Sequence, residues 1–391
     1  MSIGRYFRAF IGFGLAIGLV AGQPVSTRSQ IWAMAMDARG GVVGDLRPDE
    51  IELRIGGKVR PVLELKRPDQ LLDAPQSWVL VFEPIRDSAT RAISFTAAAD
   101  FLIKVPEGDR VFIVARGKDT LESLMPGFSA DRAVWAKAMA AVPGMLPESL
   151  TGIPTGRLGG QGFDPALKPS VIAAQGQDQL SALFQKFKSG GISWAGGTSD
   201  QKGRTALDRL NLNDSMLVSS LVQITGREMK TLEALLDGLS VVPGQKHMIV
   251  FSRCEADDLV HPSIRAAMNQ KFQRTKGDLG GPAETATLAV RDVTIQQMQV
   301  KEKAIRAGVM LYSVAGSGPN IVGNMGNIAL DTGGFSFPLR SELEFQFGQG
   351  IQVFSSRYLL RWSDEGQPAQ LSPVNITVKR KGVRVIAPTQ M

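Results

Sequence analysis

Trp78-Val-Leu-Val-Phe82 and Val111-Phe-Ile-Val-Ala115 decide the fold. Each is a continuous apolar run, which is how a strand reads when both of its faces are covered. Between them Ala92, Phe95, Ala99 and Leu102 recur at helical spacing across residues 89–104, behind Ser88 as a candidate N-cap. Gly108-Asp109-Arg110 then turns the chain into the second strand. Strand, helix and strand on short loops make a βαβ unit. Repeated units give a mostly parallel sheet flanked by helices, an α/β fold of Rossmann-like type.

Working outward, the pattern continues with helices over 131–141 and 219–239 and a buried strand His247-Met-Ile-Val-Phe251. A long helix over 287–306, a strand Val309-Met-Leu-Tyr-Ser-Val314 and a short helix ending at Leu330 follow. Two stretches interrupt the rhythm: residues 143–168, rich in Gly and Pro, and residues 254–283, polar with scattered turn residues. Both ends of the chain are of β type. Ile31–Met36 reads as a strand, Asp45–Glu50 as a short helical turn around Pro48, and Ile51-Glu-Leu-Arg-Ile55 as a half-buried strand. Gly56-Gly57 makes a hairpin turn into a strand over 59–65, and residues 67–75 read as a linker. Near the end, strands are expected over 357–362, 374–378 and 383–386. Neither end is long enough to bury its own apolar face, so the two are expected to pack together as a small β module. The expected organisation is a β lead-in over 30–68, an α/β domain over 76–340 and a C-terminal β segment over 357–387.

Arg5 and Arg8 precede the apolar run Phe10–Ala21, which exits through Ala21-Gly22. A positive start, a short apolar run and a small-residue exit form a signal peptide over 1–22, so the protein is expected to be secreted or periplasmic. The run falls short of the roughly 20 apolar residues of a spanning helix, and no membrane span is expected after cleavage. The chain has 391 residues, with Lys+Arg 44 against Asp+Glu 37 and a net charge of +7. Those charges are interspersed rather than gathered in a stripe, which argues against a nucleic-acid reader. One Cys and two His exclude an intrachain disulfide framework and a Cys/His zinc cage.

The motifs of common catalytic chemistries are missing or incomplete. No G-x-x-x-x-G-K-[ST] occurs and no G-x-G-x-x-G follows a strand, so no backbone cradle for phosphate is expected, and no cofactor. Gly191-Ile-Ser193-Trp-Ala195 lacks the second Gly of a nucleophile elbow. His247 opens a buried strand, and His261 sits in a polar stretch. Asp331-Thr332-Gly333 follows an apolar segment as in aspartic proteases, whose two carboxylates share a proton to activate water. A single copy supplies half of that dyad. The alternative is a helix stop, with glycine in the left-handed position.

The order of elements resembles the bacterial von Willebrand factor A-related (VWFA-related) secreted protein family. Asp37–Lys58 is similar to that family's opening "D-x-x-G-x-x-V-x-x-L-x-x-x-D-F-x-L-x-x-x-G". Val105–Val111, Phe128–Arg132, Val242–Ser252, Ala329–Phe335 and Tyr358–Leu360 match its pattern in the same order. The resemblance covers about 31–386 and implies a von Willebrand factor A-type domain behind a β lead-in.

Many A domains bind a divalent cation through D-x-S-x-S, a later Thr and a later Asp at the carboxyl edge of the sheet, and oxygen ligands of that type suit magnesium. Here the first strand exits as Glu83-Pro-Ile-Arg86-Asp87, with Ile85 and Asp87 in place of the serines. The strand ending at Ser252 exits as Arg253-Cys-Glu255, with arginine near the later aspartate's place. No metal is therefore expected at a degenerate site, with a rebuilt site at Glu83 and Asp87 as the alternative. Ligands of such sheets sit at the carboxyl ends of the strands. The candidate partner-binding residues are thus Glu83, Arg86, Asp87, Arg253, Glu255 and Ser317. The expected function is a non-catalytic, exported protein-interaction module with an unknown protein partner. An exported hydrolase using Asp331 is the rival.

Overall fold

A computed structural model describes residues 30–71, 75–83, 88–116, 121–145, 226, 229–252, 282–315, 324–338, 353–362 and 371–391. The expected signal peptide over 1–22 and most of both interruptions lie outside the described residues.

The strands β1 (Gln30–Met36), β2 (Ile51–Ile55), β3 (Lys58–Arg60) and β4 (Val62–Lys66) come first, with a 3-10 turn at Pro48–Glu50 before β2. Pro48 opens that turn, where its missing N–H is not needed. A second 3-10 turn, Pro68–Leu71, occupies part of the expected linker. Next come β5 (Ser77–Phe82), α1 (Ser88–Lys104), β6 (Arg110–Arg116), β7 (Leu121–Ser123) and α2 (Arg132–Met145). A helix over 229–239, called α3, leads to β8 (Lys246–Ser252). Then follow α4 (Pro282–Ala307), β9 (Val309–Ala315), α5 (Asn324–Asp331) and β10 (Ser336–Pro338). The chain finishes with β11 (Tyr358–Trp362), β12 (Val374–Val378) and β13 (Arg384–Ile386).

The central sheet has the order β10-β9-β8-β5-β6-β7. All neighbours are parallel except the short edge strand β7. Its middle strand, β5, is buried at all six positions, as its unbroken apolar run requires. Register sets Trp78 between Val111 of β6 and His247 of β8, and Phe82 between Ala115 and Phe251. Helices flank this sheet, and the mostly parallel α/β arrangement is the one that the alternation of patterns predicts.

Residues from the two ends of the chain form two antiparallel sheets, β13-β1-β11-β4 and β12-β2-β3. Ile31 faces Leu360, Met34 faces Ile386, and Leu53 faces Ile376. A second core gathers Ile31, Leu46, Leu53, Tyr358, Leu360 and Trp362. The Tyr358 hydroxyl donates to the Val43 carbonyl and accepts from the Leu46 N–H, each at 2.9 Å.

Three local expectations are corrected. The strand expected over 59–65 is two strands in different sheets, divided at Pro61, which has no N–H to give a ladder. Helix α2 runs on past Ala141 through Pro143 to Met145 instead of yielding to a loop at 143. Helix α4 begins at Pro282, five residues before the expected start, with proline in the tolerated first turn. The three-residue strands β7 and β10 are too short for a period to show.

Candidate functional site

The carboxyl edge of the central sheet is where β5, β6 and β8 end side by side. Glu83 immediately follows β5, Arg116 closes β6, and Ser252 closes β8. The register that pairs Phe82 with Ala115 brings Glu83 beside Arg116. Arg116 Nη2 donates to Glu83 Oε1 at 2.9 Å, and Arg116 Nε donates to Glu83 Oε2. Both side chains are under 5% exposed. Arg116 Nη1 also donates to the Thr231 hydroxyl of α3 at 3.3 Å. The Glu83 N–H donates to the Phe251 carbonyl at 2.9 Å, which fixes the carboxylate over the neighbouring strand.

The Glu83 side chain is thus buried, with both carboxylate oxygens held by one guanidinium. Arg86, Asp87, Arg253, Glu255 and Ser317 lie outside the described residues. Sequence reasoning missed Arg116 because it ends a buried apolar run and looks like a strand terminus. The signal is the register itself, since adjacent parallel strands place their exit residues together. Among the described residues no group of three or more His, Cys, Asp or Glu side chains is placed to hold a metal ion.

Asp331-Thr332-Gly333 forms the end of α5. Gly333 has φ +80°, the left-handed stop, and the Gly334 N–H donates to the Ala329 carbonyl at 2.8 Å. The buried Thr332 hydroxyl donates to the Ala329 carbonyl at 2.9 Å and accepts the Leu311 N–H at 3.1 Å. Asp331 accepts from Lys301 Nζ at 2.9 Å and from the Thr389 hydroxyl at 3.0 Å.

At the opposite, amino end of the sheet lies a buried polar chain. His247 Nδ1 is 2.9 Å from the Tyr312 hydroxyl, and Nε2 is 2.9 Å from Gln76 Oε1. Trp78 stacks on the His247 ring at 3.9 Å and donates its indole N–H to Asp109 at 2.8 Å. Burial, aided by the Arg357 charge, holds the imidazole well below its usual range, so it is neutral. With Gln76 Oε1 as acceptor, the ring carries its proton on Nε2 and accepts the Tyr312 hydroxyl at Nδ1. His261 lies outside the described residues. Nearby Lys246 donates to the Leu239 carbonyl at 3.3 Å, and burial lowers its amine to about 8.

Comparison with known proteins finds no matching family model and no matching curated protein. Among solved structures the chain is similar to the human COPII-coat protein Sec24c, at 9% identity, over 81% of this chain and 43% of that chain, with a TM-score of 0.30. An overlap of that degree carries no argument about function. No helix among the described residues is long and apolar enough to cross a membrane.

Proposed function

We propose that this protein is an exported, non-catalytic protein-interaction module of von Willebrand factor A type, whose carboxyl sheet edge carries an internal cation where relatives of that type hold a metal. The supporting observation is the buried Glu83–Arg116 pair. The guanidinium answers the one carboxylate that a strand-edge metal would need first, and does so bidentately. A hard divalent ion needs several oxygen ligands anchored by carboxylates. Partner recognition then rests on Arg86 and Arg253, which follow β5 and β8 in sequence and favour an acidic partner patch.

Titrating chelator-treated full-length protein with magnesium, calcium and manganese by calorimetry tests this. The expected result is no heat in the micromolar range, with partner capture from the exported fraction unchanged by chelator and weakened by Arg86→Ala with Arg253→Ala. Micromolar cation binding lost in Glu83→Gln would restore metal-dependent adhesion.

The hydrolase reading has less support. Asp331 is engaged with Lys301 and Thr389 at a helix stop. Peptide hydrolysis abolished by Asp331→Asn in a folded variant would reinstate it.

A further inference from the structure

Arg116 and Arg357 are both buried, and they differ in what answers their charge. Arg116 faces the Glu83 carboxylate. Arg357 is 0% exposed, yet Nε donates to the Phe354 carbonyl at 3.3 Å and Nη2 to the Tyr312 hydroxyl at 3.1 Å, both neutral acceptors. Its Nη1 is buried with no partner. Among the described residues no carboxylate forms an ion pair with it. A second orphan sits on the same turn: Ser355 Oγ is buried without a partner. The turn is tight, with the Arg357 N–H donating to the Ser355 carbonyl at 3.0 Å and the Ser356 N–H to the Val353 carbonyl at 3.2 Å.

Among the described residues, the groups around Arg357 do not supply a negative charge. Tyr312 is wholly buried, and desolvation raises its hydroxyl above the usual range, so it stays protonated. His247 beyond it is neutral. A buried water would satisfy Nη1 but would leave the guanidinium uncompensated, and an unpaired buried charge is strongly unfavourable.

We propose that a small monovalent inorganic anion, of halide size, is bound between Arg357 Nη1 and the Ser355 hydroxyl. Its size follows from enclosure, because Arg357, Tyr312 and Phe354 are each at most 1% exposed. Its place gives it a structural role. Arg357 leads into β11 of the small β module, while Tyr312 belongs to β9 of the central sheet. The anion thus neutralises a fully buried cation that joins the two units.

The test uses the full chain and sodium chloride or bromide against sodium gluconate at fixed ionic strength. The expected result is a saturable halide-specific rise in Tm, roughly 3 °C at tenfold excess over the dissociation constant. Arg357→Met, which removes both the charge and the orphan donor, should show no such rise. An equal rise in that variant, or none in the parent, overturns the proposal. If Arg357→Met does not fold, bromide-soaked crystals of the parent decide. Anomalous density against Nη1 supports the anion; a water or a carboxylate there overturns it.

Discussion

Thr389 holds Asp331 twice, its N–H on the Asp331 carbonyl at 2.8 Å and its hydroxyl on Oδ1 at 3.0 Å. The end of α5 is thereby fastened to the last residues of the chain, which return through Ser372–Met391 hydrogen bonds to the β module. Asp331→Ala keeps the backbone bond and loses the Lys301 and Thr389 side-chain contacts. Since Lys301 and Asp331 are partly exposed, the expected loss is about 1 kcal/mol in urea unfolding.

The helix stop has a second requirement, at Gly334. A Cβ there would stand 1.8 Å from the Leu311 carbonyl oxygen, which is backbone in β9 and has no rotamer to change. Gly334→Ala should destabilise by about 3 kcal/mol or more. Thermal unfolding would check this; a loss under about 1 kcal/mol would mean that α5 can lift away from β9.

For the Glu83–Arg116 pair, single substitutions should cost far more than the double. Glu83→Leu or Arg116→Leu leaves one buried charge alone, at about 3–5 kcal/mol. The double Leu variant should recover most of that loss. Denaturant midpoints of the four proteins give the coupling directly.

His247 predicts how stability depends on pH. Its folded-state pKa is depressed, so between that value and the ordinary imidazole value of 6.5 the unfolded chain binds more protons than the native one. The stability is therefore present in full above 6.5 and is lost as pH falls below it. At one unit below the unfolded value the loss is about 1.4 kcal/mol. Urea midpoints of the parent and of His247→Gln between roughly pH 8 and 5.5 should converge toward the acid end. A constant gap would show that His247 does not titrate on unfolding.

The fold was legible where residues act locally. Trp78–Phe82 and Met248–Phe251 announce buried strands because both faces of each are apolar. Gly56-Gly57 announces a hairpin because both adopt positive φ, +58° and +78°. What stayed hidden depends on register and packing. The βαβ pattern pairs β5 with β6, but nothing along the chain fixes the register that sets their exit residues side by side, so the partnership of Glu83 with Arg116, 33 positions away, has no local trace. Likewise Arg357 reads as an ordinary charge before a strand, and only the packing of Phe354 and Tyr312 removes it from water.

The placement of β1 between β11 and β13 has a consequence for biosynthesis. A chain made from its N-terminus offers β1 to solvent until residues beyond 358 have emerged, whereas β5 and β6 find each other within forty residues. Closing so distant a pairing is slow compared with local contacts. The apolar faces of β1, β2 and β4 thus wait, uncovered, through most of synthesis. That makes them the surface a holding chaperone would have to shield, and the segment on which a stalled chain would aggregate.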